Sequence, residues 1–65
     1  MANKKESVKL GYLVTCEMQN GNVIPAFTDC FSSAVEIAER FSSGEYTKEV
    51  KILNILTGAI FEYVI

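Results

Sequence analysis

Residues 50–65 read as two β-strand patterns joined by a tight turn, and both faces of that hairpin are apolar. Successive strand side chains point to opposite faces. One face would carry Val50, Ile52, Leu56, Ala59, Phe61, Tyr63 and Ile65. The other would carry Leu53, Ile55, Ile60 and Val64, diluted only by Lys51 and Glu62. The rest of the chain offers one helical pattern, so one side of the sheet has an internal cover and the other does not. The second side is therefore expected to meet another protein surface.

Chain length sharpens the point. A domain of 65 residues hides only about 60% of the surface its unfolded chain exposes, and such domains usually add a disulfide, a metal or a partner subunit. Cys16 and Cys30 allow at most one bridge, and the chain has no histidine to complete a four-ligand zinc site. Association is left as the expected staple. A composition 49% hydrophobic and only 22% charged agrees with it. Met1–Glu6 is polar and lacks the apolar core of a signal peptide, which predicts a cytoplasmic protein with reduced thiols. No apolar run approaches the roughly 18 residues of a membrane span. No membrane partner is expected.

The net charge of −2 is unevenly spread: residues 1–9 hold Lys4, Lys5 and Lys9 against Glu6, and the remainder is acidic. Nucleic-acid affinity draws on phosphate neutralisation by Lys and Arg, so a nucleic-acid partner is not expected.

Along the chain, residues 1–6 read as a flexible tail and residues 7–65 as one domain. Val8, Leu10, Tyr12, Val14, Cys16 and Met18 alternate with Ser7, Lys9, Gly11, Leu13, Thr15 and Glu17, giving a strand with one buried face. Asn20-Gly21 then signals a two-residue hairpin turn. That turn sets Met18 opposite Val23, Cys16 opposite Pro25 and Val14 opposite Phe27, with Ile24 on the outer face. Pro25 lacks an N–H and belongs on an edge strand, its nitrogen turned outward. Ser33-Ala34-Val35-Glu36 fits a capping box. Ala34, Ile37, Ala38 and Phe41 form the buried stripe of the following helix, with Val35 at its margin, and Gly44 suits a left-handed position after its end. A Thr57-Gly58 turn sets Ile55 opposite Ile60, Leu53 opposite Glu62 and Ile52 opposite Tyr63. The fold class is α+β, ββαββ: a four-stranded antiparallel sheet, order 2-1-3-4, with one helix on one face. Strand–turn–strand followed by an Ala/Glu-rich helix is loosely similar to small antitoxin domains of the HicB type, and the second hairpin departs from them.

Catalytic candidates are weak. No histidine is present to shuttle protons near neutral pH. Cys16 lies on the inward face of the first strand, where a small core residue is the simpler reading. Cys30 precedes the helix, where the macrodipole favours a thiolate. Asp29 and Glu36 are explained by capping. Gly11, Gly21, Gly44 and Gly58 are isolated and make no phosphate loop. Tyr12, Phe27, Phe61 and Tyr63 could stack bases, but their parity puts them under the helix. No enzyme activity, cofactor or metal is expected.

The interface expectation names Leu13, Ile24, Leu53, Ile55, Ile60, Glu62 and Val64, on the outer face and on an unguarded last strand. The functional expectation is a small protein-interaction module that forms a homo-oligomer, first of all a dimer, or docks on a protein target. An accessory or inhibitory protein of a mobile genetic element would fit that size. The rival expectations are a single-stranded nucleic-acid binder and a structural subunit of a larger assembly such as a virion.

Overall fold

A computed structural model describes residues 11–63. The expected tail over residues 1–6 falls outside them, as do residues 7–10 of the first strand pattern, Val64 and Ile65. Four strands and one helix follow in the order β1 (Tyr12–Met18), β2 (Val23–Thr28), α1 (Phe31–Ser42), β3 (Thr47–Asn54) and β4 (Ile60–Tyr63). The sheet is antiparallel, in the order β2-β1-β3-β4. This is the α+β arrangement that the alternation and the single helical stripe predict.

The helix lies over the middle of the sheet. Val14 and Cys16 of β1, Val50 and Ile52 of β3, and Ala34 and Ala38 of α1 are the buried apolar core. Neither β2 nor β4 contains a buried residue. Ala34 and Ala38 present methyl groups to the two central strands, which lets the helix approach them closely. Tyr12, Met18, Ala26, Val35, Ile37, Phe41 and Tyr63 close the margins of this core.

The helix begins earlier than its capping-box pattern suggests. Cys30 is the N-cap, and the Ala34 N–H donates to its carbonyl at 3.1 Å. Ser33 is thus inside the first turn, its hydroxyl engaged by the Cys30 thiol at 3.1 Å. The reason is aromatic packing at the first helical residue. Phe31 meets Tyr12 and Phe61 edge-to-face, at centroid distances of 5.4 and 5.5 Å, a favoured geometry.

The far end of the helix also differs from expectation. Ser43 is the C-cap, with right-handed dihedrals, so Gly44 does follow the helix end as expected, but it does not have the positive φ of a left-handed residue. Gly44 is needed for space: a Cβ there would come within 2.7 Å of the Thr47 hydroxyl. That hydroxyl donates to the Phe41 carbonyl at 2.6 Å, which also accepts the Gly44 N–H at 3.1 Å, so a carbonyl of the last helical turn is held by two donors. A bulge aims the hydroxyl. Glu17 pairs with Glu49 but Met18 pairs with Thr47, so Lys48 is the extra residue and Thr47 turns under the helix.

Both hairpin loops are longer than two residues. In the first, the Gly21 N–H donates to the Met18 carbonyl at 2.9 Å and the Met18 N–H to the Asn22 carbonyl at 2.7 Å. This is a three-residue loop, Gln19–Gly21, ending in a left-handed glycine with φ of 94°. Asn20 has no positive φ, so the two-residue turn does not form. In the second, the Asn54 carboxamide oxygen accepts from the Leu56 and Thr57 N–H groups at 3.0 and 3.3 Å. Asn54 then pairs with Ala59 and the loop is Ile55–Gly58. Gly21→Ala puts a side chain into open space but onto a backbone that disfavours it, and is expected to cost about 1–2 kcal/mol. Urea unfolding should show a lower midpoint at an unchanged slope.

Candidate interaction surface

Register decides which side chains share the uncovered face. Leu13 stands opposite Phe27 on one side and Leu53 on the other, and Leu53 stands opposite Ile60. These pairs make one apolar rung, Phe27–Leu13–Leu53–Ile60, running across all four strands on the side away from the helix. Strands lie about 4.8 Å apart, so the rung is about 14 Å from end to end. Its inner members are half-buried by their neighbours, while Phe27 is 72% and Ile60 62% exposed. The next rung is Pro25, Thr15, Lys51 and Glu62, and the one beyond holds Val23, Glu17 and Glu49. Apolar surface is therefore concentrated at the end of the sheet that holds the second loop, with an acidic remainder. Lys51–Glu49 at 3.8 Å and Lys48–Glu17 at 3.9 Å are long, exposed ion pairs that add little to stability.

The three-residue loop moves β2 by one position, and that exchanges its faces. Ile24, expected on the outer face, stands opposite Cys16 and so lies on the helix side, 44% exposed at the sheet margin. Phe27, expected under the helix, takes its place outside. The second loop moves β4 by two positions. Leu53 faces Ile60 instead of Glu62, but every residue keeps its face. Ile55, expected opposite Ile60 within the strands, is the first loop residue. Its N–H donates to the Gly11 carbonyl at 2.9 Å, continuing the β1–β3 ladder one step beyond the strands. Leu13, Leu53, Ile60 and Glu62 stand on the outer face as the alternation predicts. Val64 lies outside the described residues.

The two sheet edges differ. Antiparallel ladders alternate hydrogen-bonded and non-bonded pairs. The Met18–Asn22 bond makes the Cys16–Ile24 and Val14–Ala26 positions the bonded ones, so Pro25 sits at a non-bonded position with its nitrogen facing out. The outer edge of β2 is thereby interrupted. On β4, the Asn54–Ala59 bond makes Phe61 and Tyr63 face β3 with their peptide groups, while those of Ile60 and Glu62 face outward. Nothing among the described residues covers them.

Reactive groups are few. Both cysteines are free thiols; Cys16 is buried and Cys30 exposed. Cys16 sits 3.7 Å from both Met18 Sδ and Thr47 Oγ1, inside the core. Among the described residues no cluster of three metal-ligating side chains forms. No described helix is long and apolar enough to cross a membrane. A shallow depression lined by Met18, Gln19, Asn20 and Tyr46 carries no acid–base pair. None of the family models, curated proteins and solved structures compared with this chain matches it.

Cys30 has a shifted pKa. The Ser32 hydroxyl, then the Ser33 hydroxyl and backbone N–H, hold its pKa below the ordinary thiol value, against the opposing charge of Asp29. Hydroxyl protons rotate, so both serines can donate to the sulfur once it loses its proton. A lowered pKa means thiolate persists at lower pH. Alkylation of Cys30 by iodoacetamide is therefore expected to outpace that of Cys16 in the folded protein, with its rate rising at a pH below that of a free thiol. Ser32→Ala with Ser33→Ala should move that profile back up. Mass spectrometry of the labelled cysteines checks both, and an unmoved profile would dismiss the serines as the cause.

Proposed function

We propose that this chain is a non-enzymatic protein-interaction module whose docking element is the outer sheet face. The observation that carries the reading is the Phe27–Leu13–Leu53–Ile60 rung: four apolar side chains in line across the sheet, with the two end members largely exposed. Contiguous apolar surface of this kind marks contact sites on small soluble domains. Glu17, Glu49 and Glu62 on the same face favour a protein partner with an apolar strip and basic margins over a polyanion. The mechanism is occlusion: the rung covers a target surface, and the acidic remainder fixes orientation. Chemistry on a substrate has little to draw on, since the chain lacks histidine and Cys16 is enclosed in the core.

Phe27→Lys with Ile60→Lys tests the reading. Both positions are exposed, so the fold is expected to survive, as far-ultraviolet circular dichroism would show. Burial of a Phe or Ile side chain contributes about 1.5–3 kcal/mol, so loss of the pair should weaken partner binding by more than about tenfold. The measurement is purification of tagged wild-type and variant from the native source. The wild-type is expected to hold a protein at fixed stoichiometry that the folded variant loses. A partner retained equally by both would end the case for this face.

A further inference from the structure

We infer that the open edge of β4 is completed by β4 of a second copy, antiparallel about a two-fold axis through the two Phe61 residues. The inference builds on the interaction reading and names a partner for a different part of the same sheet.

Backbone geometry comes first. The outward peptide groups on β4 are those of Ile60 and Glu62, separated by Phe61, whose own peptide group is bonded to β3. In a symmetric antiparallel pair centred on Phe61, Ile60 of each copy meets Glu62 of the other, and four hydrogen bonds form. Phe61 then meets its symmetry mate at a non-bonded position, where Cα atoms approach to about 4.5 Å. Charge fixes the register. Moving the pairing one step toward the C-terminus sets Glu62 directly against its own copy, a like-charge pair that destabilises a sheet. Moving it one step toward the second loop leaves Ile60 as the only mutually bonded position of the strand. The Phe61-centred register alone uses every outward group and separates the carboxylates.

Side chains agree on both faces. Phe61 is 46% exposed and packs on Phe31, itself 43% exposed, so the helix side of this edge presents half-covered aromatics. Ile60 presents an exposed alkyl group on the other side. Each Ile60 would gain the stem of the opposite Glu62 as a neighbour, and each Phe61 the opposite ring.

Pro25 selects a closed pair over an open array. A β4–β2 contact between copies would repeat without closure, and a β2–β2 contact would use the other edge. Both meet the interruption at Pro25. With β2 excluded, β4–β4 is the pairing that remains, and it ends at two copies. Helices centred over β1 and β3 would then stand about 19 Å apart, four strand spacings, which exceeds the roughly 10–12 Å width of a helix. The product is a continuous eight-stranded sheet with both helices on one side and both apolar rungs on the other.

Glu62→Pro is the direct test. It removes an outward N–H and no internal hydrogen bond, and Phe61 before it is already extended, as proline requires. Sedimentation equilibrium at micromolar concentration is expected to give twice the 7.2 kDa chain mass for the wild-type. The folded Glu62→Pro variant should give the single mass. Phe27→Lys, on the far edge, should leave the double mass unchanged. A second readout covers the case in which the proline variant fails to fold. In a Cys30→Ser background under air oxidation, Phe61→Cys should cross-link between copies faster than Glu62→Cys. A monomeric wild-type, a dimer that survives folded Glu62→Pro, or faster cross-linking through position 62 would each overturn the inference. A dimer lost in Phe27→Lys but kept in Glu62→Pro would place self-association on the outer rung, sinking the edge pairing and leaving the docking face standing.

Discussion

The width of one helix against the width of four strands governs this structure. An α-helix with its side chains is about 10–12 Å across. Four strands at about 4.8 Å spacing span about 14 Å between the outer backbones, and their side chains reach further. Centred over β1 and β3, α1 buries Val14, Cys16, Val50 and Ile52 and leaves β2 and β4 without one buried residue. On the helix side, the exposed apolar groups follow from that mismatch: Ile24 and Phe61 lie at its margins, too far from the helix axis to be sheltered fully. Phe27 and Ile60 lie on the opposite face, which no described helix covers. A second helix would have removed the problem, but the chain carries only one helical stripe.

Much of this architecture was legible because its signals are periodic. The alternation over Tyr12–Met18, the stripe of Ala34, Ile37, Ala38 and Phe41, and the double-sided hairpin each state which face a residue takes, and strand order follows from the handedness of the crossover. Loop length has no such redundancy, and both loops depart from the two-residue turns that their glycines signal, with unequal consequences. In the second hairpin the strand slipped by two positions. Period-two alternation is blind to an even slip, so Leu53, Ile60 and Glu62 stayed on the outer face. In the first hairpin β2 slipped by one, and an odd slip exchanges the faces. Ile24 and Phe27 changed places for that reason alone.

The sequence signal for the longer loops is a short polar side chain near each glycine. Asn54 closes a turn over the Leu56 and Thr57 N–H groups, and Asn20 does the same for Asn22 at 3.0 Å. An Asn that bonds forward to the backbone favours a longer loop with a single left-handed glycine over a two-residue turn with two left-handed residues. The start of the helix was hidden differently. Ser33-x-x-Glu36 is a sound local cap, but the contact of Phe31 with Tyr12 and Phe61 is long-range, and tertiary aromatic packing carried the helix back to Cys30.

The same long-range contact ties fold to association. Phe31 is held between the central strand and the edge strand, so β4 is anchored on the helix side by Phe61 and on the sheet side by its ladder to β3. Yet none of the described residues of β4, Ile60–Tyr63, is buried, and an edge strand with so little buried surface is among the first parts of a small domain to open. A partner strand on its free edge would supply hydrogen bonds to Ile60 and Glu62 and cover Phe61, adding order where the isolated chain has least. Stability and assembly would then be one equilibrium, with unfolding dependent on protein concentration as it is for obligate pairs. Pro25 would keep that equilibrium finite. By interrupting the outer edge of β2 it would leave the sheet one edge on which to grow, and a sheet with one such edge would close at two copies.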